Sequence, residues 1–158
     1  MEFAVVGTVL VAMLLPVIDI GMGFYYKTQL MTAAQAGAQY ALNNRGPYIT
    51  AWTATSITNA VINATRLSIL SSDITTTLSC KCVDQTTGTL SSGSPSSPTK
   101  ASDCTTSATN CPGMGTQKPG AYVAVSVTPA SPRNYKPVFN FQGYGPLTLT
   151  ASAIVRIQ

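Results

Sequence analysis

Residues 3–26, FAVVGTVLVAMLLPVIDIGMGFYY, form one long apolar stretch from which the expected architecture follows. These 24 residues include a single charged side chain, that of Asp19. As an α-helix they extend about 36 Å, which is enough to cross a bilayer. A helix buried in a soluble core seldom stays apolar around its whole circumference over such a length, so the stretch predicts a membrane helix.

A cleaved secretory signal is the alternative to a retained helix. Residues 36–38, Ala-Gly-Ala, resemble a cleavage site. A signal sequence needs basic residues before its apolar run, whereas Glu2 stands at that place here. The run is also longer than the apolar core of a signal sequence, and we therefore favour a retained membrane helix.

The helical pattern continues beyond the apolar stretch. Small or apolar residues recur there at helical spacing, namely Leu30, Ala34, Gly37, Ala38 and Ala41. Strong helix formers fill the stretch, and residues 43–47, Asn-Asn-Arg-Gly-Pro, are a stop signal. We predict a rod domain at residues 1–46, with a helix of about 40 residues and about 60 Å. Pro16 is expected to kink or locally unwind it, because proline cannot donate to the carbonyl four residues back.

Residues 47–158 predict a small globular head. Apolar residues between Trp52 and Leu70 fall at helical steps and indicate a second, amphipathic helix. Thr-rich or alternating sequence predicts three strands, at residues 74–83, 121–128 and 147–157. A helix followed by three strands implies a small antiparallel sheet packed on helices, which is the α+β class. The order of the strands is left open.

Residues 84–119 differ in composition from the rest of the head. Fifteen of these 36 residues are Ser or Thr and none is aromatic, so the segment cannot bury enough apolar surface to form a core of its own. We interpret it as a solvated surface loop. A displayed, variable or glycosylated loop is the functional alternative.

All four cysteines, Cys80, Cys82, Cys104 and Cys111, lie beyond the apolar stretch. An even number on one side of a membrane helix predicts two disulfides and an oxidising compartment. Cys80 and Cys82 stand two residues apart in a predicted strand and point to the same face, so they can pair with Cys104 and Cys111 in either order. A zinc site of four thiolates is the alternative, and the C-x-C spacing disfavours it.

The charges that follow the helix contradict this placement of the head. Under the positive-inside rule, Lys27 and Arg45 would put the head in the cytoplasm. We give the cysteines more weight and expect an extracytoplasmic head.

The composition argues against an enzyme. Only 9% of the residues are charged and histidine is absent, which removes the commonest general base and the commonest metal ligand. The acids of the head, Asp73, Asp84 and Asp103, show no catalytic spacing, and no phosphate-binding loop occurs. The nine Lys and Arg residues are scattered singly, so the net charge of +4 does not indicate a nucleic-acid site. We predict no catalysis, no cofactor and no metal site.

Two carboxylates at the apolar stretch require an explanation, because a charged group in an apolar helix is costly and usually has a partner or a function. Asp19 either reaches the membrane interface or meets a positive group on a neighbouring copy. Glu2 is either a hydrated end of the helix or a second contact of this kind. Gly21 and Gly23 allow close approach of helices or local unwinding.

Several short motifs resemble the N-terminal signature of TadE-like pilus proteins. They are MEFAVV at residues 1–6, IDIG at 18–21, FY at 24–25, QL at 29–30, AA at 33–34, GA at 37–38 and YA at 40–41. The ending LTASAIVR at residues 149–156 is similar to the last strand of the family. The resemblance is strong over residues 1–42 and moderate over 147–158, and it does not extend to the residues between them.

The resemblance implies an inner-membrane prepilin or pseudopilin. A prepilin peptidase would cleave it, and inner-membrane assembly machinery would build it into a type IV-like, tight-adherence pilus. Glu2 would match the pilin glutamate that pairs with the N-terminal amine of a neighbouring subunit. The basic leader and glycine cleavage site of the family do not precede Glu2 in this sequence, so cleavage is an expectation drawn from the family.

We therefore expect a filament subunit for adhesion or surface interaction, located in the inner membrane before assembly and in an extracellular pilus afterwards. Its partners would be copies of itself and, before assembly, the lipid bilayer. The residues expected to act in assembly are Glu2, Phe3, Pro16, Asp19, Gly21 and Gly23. The alternatives are a minor pseudopilin that primes or tips the pilus, a membrane-tethered extracytoplasmic binding module and, more weakly, an anchored enzyme.

Overall fold

The computed structural model describes residues 2–44, 54–84, 87–95, 98, 100–106, 109–112, 116–131, 133–138 and 146–158. The elements in chain order are α1 (Glu2–Asn43), α2 (Ala54–Asn63), a 3₁₀ turn (Ser71–Asp73), β1 (Ile74–Val83), β2 (Leu90–Ser92), α3 (Asp103–Thr106), β3 (Gly120–Val127) and β4 (Ala151–Arg156). A long apolar helix, a second helix and an antiparallel sheet confirm the predicted α+β class.

The rod is one helix of 42 residues, α1. It ends at Asn43, the first residue of the predicted stop signal. The helix runs through Pro16, so the proline does not divide the rod into two helices. Because the rise is about 1.5 Å per residue, α1 extends about 63 Å, which is longer than the head needs for packing.

The sheet has the strand order β2-β1-β3-β4, and every neighbouring pair is antiparallel. β1 matches its predicted bounds and β3 differs from them by one residue at each end. β4 begins at Ala151 instead of the predicted residue 147. Leu147 forms an isolated bridge with Tyr135, so the chain enters the sheet only after this contact.

A short fourth strand, β2, lies inside the segment that was predicted to be a loop. Its three residues pair with the end of β1, from Lys81 opposite Ser92 to Val83 opposite Leu90. All three side chains of β2 are exposed. The strand therefore adds backbone pairing to the sheet without adding to the core.

The second helix is shorter than predicted. It ends at Asn63, and the chain from there to Leu70 is irregular. The Thr65 hydroxyl accepts the backbone N–H of Leu67, and the Asp73 carboxylate accepts that of Leu70. Such side-chain acceptors compete with helical hydrogen bonds and explain the early end. Trp52, the first residue of the predicted helix, lies outside the described residues.

The core of the head is built on the second half of α1. Its buried residues include Leu30, Ala33, Ala34, Ala38 and Ala41 from α1, Ile57 and Val61 from α2, Ile74 and Cys80 from β1, Val123, Val125 and Val127 from β3, and Ala151 from β4. The small side chains on α1 let the sheet approach the helix closely. The rod domain predicted at residues 1–46 therefore shares a core with the head over its second half.

The closest approach is at Gly37. A Cβ atom at this position would lie 2.6 Å from Val61 Cγ2 of α2 and 3.2 Å from Val125 Cγ1 of β3. Real Cβ contacts are longer than the first of these distances, so a side chain here requires the neighbours to move. At Gly21, in contrast, an added Cβ meets no atom within 4 Å.

Two disulfides attach the Ser- and Thr-rich segment to β1. Cys80 is bonded to Cys104 and Cys82 to Cys111, with Cα–Cα distances of 5.3 and 5.8 Å. All four cysteines are buried. The structure thus selects one of the two pairing orders that the sequence left open.

We predict that Gly37→Ala lowers the free energy of unfolding by about 1–2 kcal/mol, because overpacking at the crossing exceeds the gain in helix propensity. Gly21→Ala is the matched control, and it is expected to be neutral or slightly stabilising. Chemical denaturation of the full chain in detergent, followed by circular dichroism, measures both. Equal stability of the two variants would contradict a tight crossing at Gly37.

Candidate functional site

The first half of α1 exposes nearly all of its apolar side chains. We define the exposed segment as residues 5–25. Thirteen of its fourteen large apolar residues are 45–69% exposed, namely Val5, Val6, Val9, Leu10, Val11, Met13, Leu14, Val17, Ile18, Ile20, Met22, Phe24 and Tyr25, and Leu15 is half-buried. By length and composition the helix is able to cross a membrane. A signal sequence near the N-terminus meets the same criteria. A continuous apolar surface of this size marks contact with lipid or with other proteins.

The exposed segment contains four of the residues predicted to act in assembly. Pro16 and Gly21 are exposed, and Asp19 and Gly23 are half-buried. A Cβ atom at Gly23 would lie 3.5 Å from the ring of Tyr135, an ordinary contact distance. The side chains of Glu2 and Phe3 lie outside the part of the chain that the structure describes, so the structure does not test their predicted role.

Asp19 contacts the head of its own chain through two groups. The Tyr135 hydroxyl donates to the Asp19 carbonyl oxygen at 2.7 Å, and the Val138 N–H donates to Asp19 Oδ1 at 2.9 Å. The donors belong to a segment after β3, residues 133–138, which we call the strap. Asp19 therefore has hydrogen-bond donors within its own chain at the level where α1 leaves the head.

Two tyrosines hold the strap against α1. The Tyr26 hydroxyl donates to the Arg133 carbonyl oxygen. The rings of Tyr26 and Tyr135 lie with their centroids 5.8 Å apart and their planes tilted by 48°, a favourable aromatic geometry. Burial and the nearby Asp19 carboxylate raise the pKa of Tyr135 above its ordinary value. The chain that leads into β4 is also held against α1, because Lys27 Nζ donates to the carbonyl oxygen of Thr150.

An ion pair between the buried Asp73 carboxylate and the Arg133 side chain, which is 25% exposed, fixes the start of the strap. Arg133 Nε and a terminal guanidinium nitrogen donate to the two carboxylate oxygens of Asp73 at 2.9 and 2.8 Å. The Asp73 side chain is fully buried and also accepts the N–H groups of Leu70 and Ala130. The Arg133 hydrogen bonds outweigh the cost of burial and lower the pKa of Asp73 to about 2. The same contact raises the pKa of Arg133.

The other two acids of the head have local partners. Asp84 Oδ1 accepts the N–H of Thr87 in a turn, and Asp103 Oδ2 accepts the N–H of Lys100 before α3. Within the described ranges, no three His, Cys, Asp or Glu side chains come together in a way that could hold a metal ion. The Asp73–Arg133 pair could not be predicted from the sequence, because 60 positions separate the two residues and no local pattern links them.

Comparison with protein families gives one finding. Residues 1–39 match the family model of TadE-like proteins, which confirms the resemblance seen in the motifs of the long helix. The match relates the chain to proteins of the Tad pilus, and it coincides with α1 rather than with the sheet. Comparisons with curated proteins and with solved structures give no match.

We predict that Asp73→Asn lowers the free energy of unfolding at pH 7 by about 2–4 kcal/mol, because it leaves the Arg133 guanidinium without its carboxylate partner. Asp103→Asn, which removes a charge at a surface turn, is the control and is expected to cost under about 1 kcal/mol. Denaturation of the full chain in detergent measures both.

The pH dependence gives a second readout of the same pair. The pKa of Asp73 is about 2 in the folded chain and 3.8 ordinarily, so the ionised carboxylate stabilises the fold fully above about pH 4. This contribution is lost as the pH falls towards 2. The difference between the wild type and Asp73→Asn should therefore shrink over that window. A difference that stays constant from pH 7 to pH 2.5 would contradict the assigned pKa.

Proposed function

We propose that the protein is a structural subunit of an extracellular type IV-like pilus and that it polymerises through its N-terminal helix. The exposed segment, residues 5–25, is the observation that carries the proposal. Thirteen of its large apolar side chains are exposed. Moving them from lipid to water would cost about 1.5 kcal/mol or more for each side chain that becomes fully hydrated, so another apolar surface must replace the lipid.

The distribution of these side chains favours several neighbours over one. Val9, Leu10 and Val11 are consecutive and all exposed. Successive residues of an α-helix point about 100° apart, so the apolar surface surrounds the helix instead of forming a single stripe. A helix of this kind suits a bilayer or the core of a helical filament. Identical contacts between copies that do not close into a ring generate a fibre.

The proposed sequence of states begins in the inner membrane. The exposed segment lies in the bilayer, the disulfide-bonded head lies on the extracytoplasmic side, and assembly exchanges lipid for neighbouring copies. The related family supports a prepilin peptidase and inner-membrane assembly machinery as partners. The head then forms the outer surface of the filament, where it serves adhesion or surface interaction.

We further propose that the protein is not an enzyme. Asp73 is engaged in the ion pair with Arg133, and Asp84 and Asp103 accept backbone N–H groups close to them in sequence. Each of these carboxylates thus has a structural function in the fold. A turnover that disappeared when one of them was changed would contradict this proposal.

We predict that Glu2→Ala leaves the protein in the membrane fraction and abolishes filaments, because the pairing of the glutamate with the N-terminal amine of a neighbour is lost. Asp84→Ala, which changes a carboxylate on the head, is the matched control and should assemble. Electron microscopy and immunoblotting of the sheared extracellular and membrane fractions measure both. Normal filaments from Glu2→Ala would disprove the role of Glu2.

The wild-type protein in the same experiment tests the proposal itself. Fibres whose helical reconstruction accommodates α1 and the head support a major structural subunit. A sheared fraction without fibres, with the protein retained in the membrane, would contradict it and favour a minor pseudopilin or a tethered binding module.

A further inference from the structure

We propose that the strap is a membrane-contacting foot of the head and that it lies in the headgroup layer of the bilayer at the level of Asp19. The inference rests on the membrane location of the exposed segment, which is part of the proposed function. It assigns the strap a partner of defined chemistry, namely lipid headgroups.

The strap reaches far along the helix. Leu30 is the first residue of α1 that is buried in the core. Tyr135 and Val138 of the strap bind Asp19, eleven residues earlier. At about 1.5 Å per residue, the strap therefore reaches about 16 Å along α1 beyond Leu30.

The backbone of the strap limits how far the hydrocarbon can rise. Irregular backbone cannot face the acyl chains, because its N–H and C=O groups then lack partners. The strap is irregular apart from one isolated bridge at Tyr135, and it carries the exposed Lys136. The hydrocarbon must therefore end near Asp19 and cannot extend to Tyr26, where the apolar stretch of the sequence ends.

The part of α1 that precedes Asp19 is short compared with the hydrocarbon of a bilayer, so the strap cannot stand clear of the membrane. The uncharged run between the carboxylates Glu2 and Asp19 is residues 3–18. These 16 residues extend about 24 Å, while the hydrocarbon of a bilayer is about 30 Å thick. A short apolar run is accommodated by local thinning of the bilayer and by drawing flanking groups to its surface. The carboxylate of Asp19 and the strap bound to it are thus held at the interface.

The side chains at this level have the chemistry of a membrane interface. Phe24 and Tyr25 of α1 are 69% and 58% exposed, and Val138 of the strap is 61% exposed. Aromatic rings are enriched at the headgroup level, and a lysine such as Lys136 can place its ammonium group among the phosphates. Exposed apolar and aromatic side chains beside a lysine are better suited to the headgroup layer than to water.

Tryptophan substitution in vesicles tests the inference. The full chain is reconstituted in phosphatidylcholine with phosphatidylglycerol, with or without bromine along the acyl chains from the upper carbons to the ends, which quenches indole fluorescence on contact. Separate variants carry Val138→Trp in the strap, Val11→Trp in the exposed segment and Thr77→Trp on β1. All three positions are exposed, and the parent chain gives the signal of Trp52 for subtraction.

The expected result is that Val138→Trp loses about half of its fluorescence in brominated lipid, because an interfacial indole contacts the upper acyl carbons. Val11→Trp should also be quenched, and Thr77→Trp should not change. If Val138→Trp behaves like Thr77→Trp while Val11→Trp is quenched, the foot is disproved and the membrane helix stands. The same result is expected if a second copy of the chain, and not lipid, covers the strap. If Val11→Trp is not quenched, the membrane location in the proposed function fails instead.

Discussion

One long helix must satisfy two different surroundings, and the rest of the structure depends on this constraint. An α-helix pairs its backbone N–H and C=O groups internally, so α1 can leave the head without exposing unpaired groups to an apolar environment. Its second half carries small residues and is covered by the sheet, with Gly37 at the closest approach. Its first half carries large aliphatic side chains that face outward. Both the size and the polarity of the side chains distinguish the two halves, because the second half also carries Lys27, Gln29, Gln35 and Gln39.

The head holds this helix at two levels, and it uses scarce charged residues to do so. The sheet covers the helix from Leu30 onwards, while the strap reaches Asp19. Only 9% of the residues are charged, yet the buried carboxylate of Asp73 pairs with Arg133 at the start of the strap. Tyr26, Lys27 and Asp19 of α1 form hydrogen bonds to the non-helical chain that lies against the helix, and backbone groups outside regular structure need such partners. The orientation of α1 relative to the head and the position of the strap along α1 therefore depend on each other.

Local patterns predicted the elements and failed where distant residues intervene. The end of α1, the bounds of β1 and the class of the fold followed from helical and alternating periodicity. The second helix ended early because the Thr65 and Asp73 side chains accept backbone N–H groups beyond it. The strand β2 has three exposed residues and no alternation, and it exists because β1 offers it an edge. None of these interactions is visible from composition or spacing.

For the candidate site, the residues themselves could be read from the sequence, but their contacts could not. The apolar stretch, the unusual place of Asp19 within it and the presence of two disulfides depend on residue type and local order, and these were available without a fold. The pairing of Cys80 with Cys104 and the contact of Asp19 with the strap join residues 24 or more positions apart. The folded chain alone brings such residues together, because packing sets the distances between segments that are remote in sequence.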